Sequence, residues 1–229
     1  MVKPTILVAS GLKIDLFAGE GSLGWNDGWC YPQMHKYLLP LVDKTDSVLD
    51  IGAGIGRSAF PFGLKGCKTF FVEPDFDALA EADSIYQQAG IAFDLESLRP
   101  AIEYLDGCQK KFDVVILSET LTHIVKSEGI EIISKAINHC NKYMFIAVPS
   151  TFSWSFDAHK ESNYGSPEPC TYLDECGCSG QNKIEPFSYY YPGEIEALIV
   201  SMGGHIIAAE AQENHVGNYA WIIISSFIA

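Results

Sequence analysis

The sequence predicts an α/β protein with a doubly wound, mainly parallel sheet. Two observations carry that prediction. Through the middle of the chain, short apolar runs with β-branched and aromatic residues alternate with segments of helical apolar spacing, the order that makes a parallel sheet covered by helices. One of those runs passes directly into a glycine-rich turn, V-L-D-I-G-A-G-I-G-R at 48–57. A length of 229 residues suits one large α/β domain with room for an insertion.

The elements read as follows. Residues 33–42 predict a helix leading into the domain, and 47–51 a short buried strand ending at the glycines. A helix over about 57–64 places Pro61 near its first turn, where a missing N–H costs least. Strand 69–72 ends at Glu73, and helix 77–88 ends before Gly90, a good C-terminal stop. Short apolar stretches at 91–93, 112–117 and 143–148 predict three more strands, with a helix at 129–139 between the last two and Pro149 as the final stop. From 150 to about 191 sustained periodicity disappears, among many aromatics, several Pro and Gly and three Cys. A stretch that long inside a compact domain points to a lid or binding element. Alternation resumes with a helix at 194–202, closed by Gly203 and Gly204, and strands at 205–209 and 218–227 that predict a β-hairpin.

The bulk chemistry narrows the function. Against 29 acidic residues stand 15 basic ones, a net charge of −14, with no basic cluster. Nucleic-acid affinity rests on Lys and Arg neutralising phosphates, so a DNA or RNA substrate is not expected. No apolar stretch is long enough to span a bilayer, and the first ten residues lack a secretion signal. Seven scattered cysteines without a disulfide framework fit a reducing cytoplasm.

The glycine turn carries the chemistry. Glycines accept positive φ and let a ligand approach the main chain, and the following helix offers free N–H groups and a positive dipole. Dinucleotide enzymes use a similar turn, but here the third glycine follows the second by two residues, so G-x-G-x-x-G is missing. Asp50, just before the turn, can engage a positively charged group. Glu73 ends the next strand, where a carboxylate can accept both hydroxyls of a ribose. After the third strand comes Asp94-Leu95-Glu96, where Asp94, or Glu96 in its place, can accept from an adenine amino group.

Taken in order, V-L-D-I-G-A-G-I-G-R, F-V-E-P-D, F-D-L-E-S-L and F-D-V-V-I-L-S-E-T-L-T-H-I resemble the motif series of class I S-adenosylmethionine-dependent methyltransferases. The resemblance spans roughly 33–150 and 191–228. It implies a seven-stranded Rossmann-like sheet whose last strand is antiparallel, S-adenosyl-L-methionine as cofactor, and a lid insertion after the fifth strand. It also implies roles for particular residues. Asp50 with Gly52, Ala53, Gly54 and Gly56 would hold the amino-acid end of the cofactor, with Arg57 on the methionine carboxylate. Glu73, followed by Pro74, would bind the ribose, Asp94 and the backbone of Leu95 the adenine, and Ser118 and Glu119 would line the pocket below the methionine portion.

The loop after the fourth strand, Ser118-Glu119-Thr120-Leu121-Thr122-His123, faces the reaction. It lacks the N-P-P-Y or D-P-P-Y signature of enzymes that methylate exocyclic amino groups of bases or glutamine amides. His123 resembles the histidine of E-x-L-x-H loops in small-molecule members, and its pKa range suits a general base. Alternatively it caps the next helix or braces the loop. In the insertion, Asp157, His159 and Glu161 can bind or deprotonate a polar acceptor. Phe152, Trp154, Phe156, Tyr164, Tyr172 and Tyr189 to Tyr191 either wall its pocket or pack the insertion onto the sheet. Cys170, Cys176 and Cys178, with His159 upstream, lack a familiar zinc spacing, and no metal is expected.

The resulting division is an N-terminal cap at 1–32, with Trp25, Trp29 and Tyr31 closing over the cofactor or packing on the sheet edge, and a methyltransferase domain at 33–229 whose 150–191 insertion binds substrate. The expected function is methyl transfer to an oxygen or nitrogen of a small-molecule acceptor. The alternatives are a protein or peptide N-terminal methyltransferase, or a non-catalytic cofactor-binding member. The sequence leaves the oligomeric state open.

Overall fold

A computed structural model describes residues 5–7, 13–15, 31–176, 183–213 and 219–228. Strands β1 (Thr5–Leu7) and β2 (Lys13–Asp15) form a small antiparallel pair. A π-helix, Met34–Leu38, then leads into β3 (Ser47–Ile51), α1 (Phe60–Lys65), β4 (Lys68–Val72), α2 (Phe76–Gln88) and β5 (Phe93–Ser97). The chain continues through α3 (Ala101–Gly107), β6 (Phe112–Ser118), α4 (Lys126–Asn138) and β7 (Cys140–Pro149). The insertion contributes α5 (Trp154–Lys160), β8 (Thr171–Cys176) and β9 (Lys183–Ser188) before α6 (Glu194–Ser201), β10 (His205–Glu213) and β11 (Tyr219–Ser226).

The main sheet has seven strands in the order β10-β11-β7-β6-β3-β4-β5. Its β6, β3, β4 and β5 are parallel, as is the β6–β7 pair, while β11 runs antiparallel to both β7 and β10. Successive side chains of a strand point to opposite faces, and the core divides accordingly. Leu49, Ile51, Val115, Leu117, Met144, Ile146 and Val148 bury one face against Tyr104, Ile132, Ile133, Ile195 and Ile199 of α3, α4 and α6. Val48, Val114, Ile116, Phe145 and Ala147 bury the other against Met34, Leu38 and Phe62. Near-continuous apolar runs in β6 and β7 follow from this covering on both faces.

From β3 the chain winds outward through β4 to β5, then returns to place β6 and β7 on the other side. The winding therefore reverses between β3 and β6. The carboxyl ends of those strands flank a crevice, where ligands of open parallel sheets bind.

Three sequence expectations change. Strand β5 occupies 93–97 rather than 91–93. It is the sheet's edge strand, and F-D-L-E-S is not an apolar run: Leu95 is exposed and the Glu96 side chain is largely covered. Helix α3, which buries only Tyr104 and Leu105, has too few apolar positions to register as periodic. The 150–191 stretch also contains regular structure, one helix and one antiparallel hairpin around a small core of Phe156, Cys170 and Tyr189. It docks on the loop after β6: Ser188 N–H donates to the Thr122 carbonyl at 2.9 Å and Ser188 Oγ to the Ile124 carbonyl at 2.6 Å. No described helix is long and apolar enough to cross a membrane.

Candidate active site

The glycine turn stands at the carboxyl end of β3. Gly52, Gly54 and Gly56 all have positive φ (70°, 53° and 78°), a conformation that glycine adopts without the Cβ penalty. The turn is stitched to β4, with Gly52 and Ala53 N–H both donating to the Val72 carbonyl at 2.8 and 3.3 Å. A Cβ on Gly56 would collide with the rings of Phe71 and Tyr86, and one on Gly52 with the Thr120 side chain. At Gly54 the same position meets nothing within 4 Å. The outer two glycines thus permit close packing, and the middle one leaves the turn open on one side.

Glu73, the first residue past β4, is buried and holds the turn from the side. Its Oε2 accepts from Gly54 N–H at 2.7 Å and its Oε1 from Asp75 N–H at 2.8 Å, while its own N–H donates to the Ser97 carbonyl at 3.1 Å. Pro74, next in the chain, is exposed.

Asp50 lies beneath the turn, 1% exposed. Burial pushes its carboxyl up to about 7, opposed in part by a hydrogen bond from the Ala59 amide. Its Oδ2 is buried and has no hydrogen-bond partner among the described residues. Arg57, half-buried at the far end of the turn, feels both Glu81 and Tyr31 electrostatically.

Across the crevice, β6 ends at Ser118, opposite Ala147 of β7. Glu119 follows in the left-handed region, φ 62°, which is uncommon for a residue with a Cβ. Its carboxylate accepts from the Tyr31 hydroxyl and, at 3.2 Å, from the Thr122 hydroxyl. Burial raises the Glu119 pKa, and these two hydrogen bonds oppose the rise. Thr120 Oγ1 donates to the Ile51 carbonyl at 2.6 Å and so ties this loop to the base of the glycine turn. No sequence pattern singled out Thr120.

Other expected positions lie elsewhere. Asp94 is the second residue of β5, paired in register with Phe70 and bridged to Lys68 at 2.7 Å near the start of β4. Leu95 sits mid-strand opposite Phe71. Because β5 begins later than expected, its carboxyl end beside Glu73 is Ser97, and the adenine role assigned to Asp94 and Leu95 does not fit their positions. Glu96 does not replace them, since it pairs with Lys110 at 2.6 Å.

Asp157 is likewise corrected as an acid–base candidate. Its side chain is 81% exposed and pairs with Lys160 one helical turn on. His123 and His159 are brought together, but around the hairpin, with the Phe187 ring between them at centroid distances of 4.9 and 4.3 Å. His123 faces Glu185 at 3.5 Å and hydrogen-bonds the Pro186 backbone. His159 Nδ1 meets the Tyr189 hydroxyl at 2.5 Å, with Asp174 at 3.8 Å from Nε2. These are the partners of anchors that hold the hairpin down. Burial lowers both imidazole pKa values.

The aromatic set divides as well. Phe156, Tyr189 and Tyr190 are buried, whereas Phe152, Trp154, Tyr164 and Tyr191 are exposed. Trp25, Trp29, Cys178 and the Cys176 side chain lie outside the described residues; Cys170 is buried in the insertion core.

A family model described as a methyltransferase domain matches residues 31–174. The chain therefore belongs to that family, within the class I S-adenosylmethionine-dependent methyltransferases. It is an enzyme of that class.

Similar solved structures share the fold. A methyltransferase from Methanosarcina mazei has a TM-score of 0.66 at 16% identity, covering 86% of this chain and 97% of that one. Magnesium protoporphyrin IX methyltransferase from Synechocystis, with bound S-adenosylhomocysteine, has a TM-score of 0.60 at 14% identity, covering 80% and 74%. The 1,6-didemethyltoxoflavin-N1-methyltransferase of Burkholderia thailandensis has a TM-score of 0.59 at 14% identity, covering 85% and 76%. No curated protein matches the chain.

The residues present fit the cofactor on two counts. The Asp50 Oδ2 atom, buried beneath the turn, suits a cationic donor, and the open side of Gly54 admits a ligand against bare backbone.

Proposed function

We propose that this chain transfers a methyl group from S-adenosylmethionine to an oxygen or nitrogen of a small-molecule acceptor. The observation that carries the reading is the buried Asp50 carboxylate under a glycine turn whose middle residue faces open space, at the point where the sheet's winding reverses. Asp50, Gly52, Ala53, Gly54 and Gly56 hold the amino-acid end of the cofactor, and Arg57 its carboxylate. Glu73, with Pro74 beside it, holds the ribose. Ser118 and Glu119 border the methyl group from the β6 side. When bound, the sulfonium supplies an activated methyl and a good leaving group. The protein's main task is then to hold the acceptor in line and to take its proton.

A small acceptor is supported from three sides. The net charge of −14 opposes a polyanionic partner. The described part of the insertion hydrogen-bonds through Ser188 to the loop after β6, which supports reading it as a substrate-binding element. Two structures with the same fold are named for small aromatic acceptors, a porphyrin and a toxoflavin precursor.

Calorimetry with S-adenosylhomocysteine tests the donor half. Wild type binds it, and Glu73→Ala, which removes the acceptor for Gly54 and Asp75 N–H, weakens binding about tenfold or more. Equal binding by both proteins would overturn the site. A panel of phenols, carboxylic acids and amines incubated with methyl-labelled cofactor tests the acceptor half. Label appearing only in added polypeptide would overturn the small-molecule assignment.

A further inference from the structure

The loop after β6 contains a carboxylate better placed for acid–base work than the histidine its sequence pattern favours. We infer that Glu119 accepts the proton of the methyl acceptor, with Tyr31 as the residue that positions it. This rests on the reading of the crevice as the S-adenosylmethionine site.

Placement comes first. Glu119 is the residue next to Thr120, whose side chain lies against Gly52 and whose hydroxyl holds the Ile51 carbonyl. Glu119 therefore lies just past the carboxyl end of β6, one residue before the side chain that packs on the first glycine of the turn. His123, four residues on, is held by the hairpin through Glu185, Pro186 and Phe187.

The backbone supports a specific orientation. A left-handed φ of 62° at a residue with a Cβ costs roughly 1 kcal/mol or more and persists only where surrounding structure imposes it. Here the Glu119 N–H donates to the Ala147 carbonyl at 3.0 Å and its carbonyl accepts from Thr122 N–H at 3.2 Å, which fixes the turn.

The carboxylate is oriented but not neutralised. Oε1 takes the Tyr31 hydroxyl and Oε2 the Thr122 hydroxyl, so an ionised group with about four acceptor positions retains capacity for a donor. No lysine, arginine or histidine forms an ion pair with it among the described residues. Burial also lifts its pKa toward the working range, which makes it a stronger base than an exposed glutamate. Tyr31 is itself fixed, with its ring 6.0 Å from that of Phe145 and its hydroxyl within the field of Arg57.

The step balances without a further reagent. The acceptor's lone pair forms the bond to the methyl carbon, and the electrons of the breaking carbon–sulfur bond stay on sulfur. The acceptor's O–H or N–H proton passes to Glu119 Oε2, and the resulting acid returns it to water. Tyr31 keeps its hydrogen bond to Oε1 throughout.

Sinefungin, in which an amine-bearing carbon replaces the methylsulfonium, tests this without turnover. Its ammonium lies where the methyl does, so an ionised Glu119 favours it over neutral S-adenosylhomocysteine. Calorimetry on wild type should show sinefungin binding about tenfold tighter than S-adenosylhomocysteine near pH 8, a preference that fades as pH falls through the Glu119 titration. Glu119→Gln should abolish the preference. A preference retained in Glu119→Gln would overturn the assignment. Failure of wild type to bind S-adenosylhomocysteine at all would instead overturn the cofactor site.

Tyr31→Phe keeps the proposal testable if Glu119→Gln folds poorly. It removes a donor to the charged form, so the preference should now disappear at a higher pH. An unmoved profile would overturn the role of Tyr31.

Discussion

Thr120 Oγ1 donates to the Ile51 carbonyl at 2.6 Å, and the same side chain fills the space that a Cβ on Gly52 would need. This contact joins the two strands between which the sheet's winding reverses, and it fixes the spacing of the two walls of the crevice. Gly52→Ala meets two costs, a left-handed backbone and a collision with Thr120. The expected loss in urea unfolding is about 2–4 kcal/mol. Adding Thr120→Ala should recover part of it, with a coupling of about 1 kcal/mol in a double-mutant cycle. Strict additivity would show that the two residues do not share this contact.

Asp50 should set the pH dependence of the ligand-free enzyme. Its folded pKa of about 7 lies above the usual 3.8, so the folded state binds more protons between those values. Its contribution to stability is then greatest below about pH 4, falls as pH rises through this window and levels off above 7. Each pH unit is worth about 1.4 kcal/mol, which puts the full span at roughly 4 kcal/mol. Asp50→Asn should remove this component from a series of melts, and an unchanged slope would count against the buried carboxylic acid. Binding of a cationic cofactor near pH 6.5 should also release a proton, visible as buffer-dependent heat in calorimetry.

The two hairpin histidines act with the opposite sign. Their folded pKa values lie below 6.5, so the unfolded chain binds more protons, and their contribution to stability is lost as pH falls below that value. His123→Ala should flatten this acid limb and speed amide exchange in β9, while S-adenosylhomocysteine affinity stays within about twofold. A collapse of affinity without faster exchange would return His123 to the cofactor edge.

Within the insertion, Asp157 and Phe156 are neighbours with different fates. Asp157→Ala removes an exposed group and should shift stability by no more than about 0.5 kcal/mol. Phe156→Ala empties the centre of the small core with Cys170 and Tyr189 and should cost about 3 kcal/mol within that unit. Comparable effects in thermal melts would mean that α5 is turned differently about its axis.

The sequence alone determined the glycine turn and the two acids beside it. A glycine turn between a buried strand and a helix, Asp50 before it and Glu73 at the end of the next strand are local features, each fixed by backbone sterics or by a position a few residues away. The central strands were legible for the same reason, because burial on both faces writes them as apolar runs. The edge strand was not, since F-D-L-E-S has only two apolar residues and its Leu95 is exposed, and Asp94 was misplaced with it. Only the tertiary structure decided which distant groups meet. Tyr31 bonds Glu119 across 88 positions of sequence, and His123 is claimed by a hairpin more than 60 residues away. No spacing rule reaches that far, because such contacts depend on how whole elements pack and not on the period of any one of them.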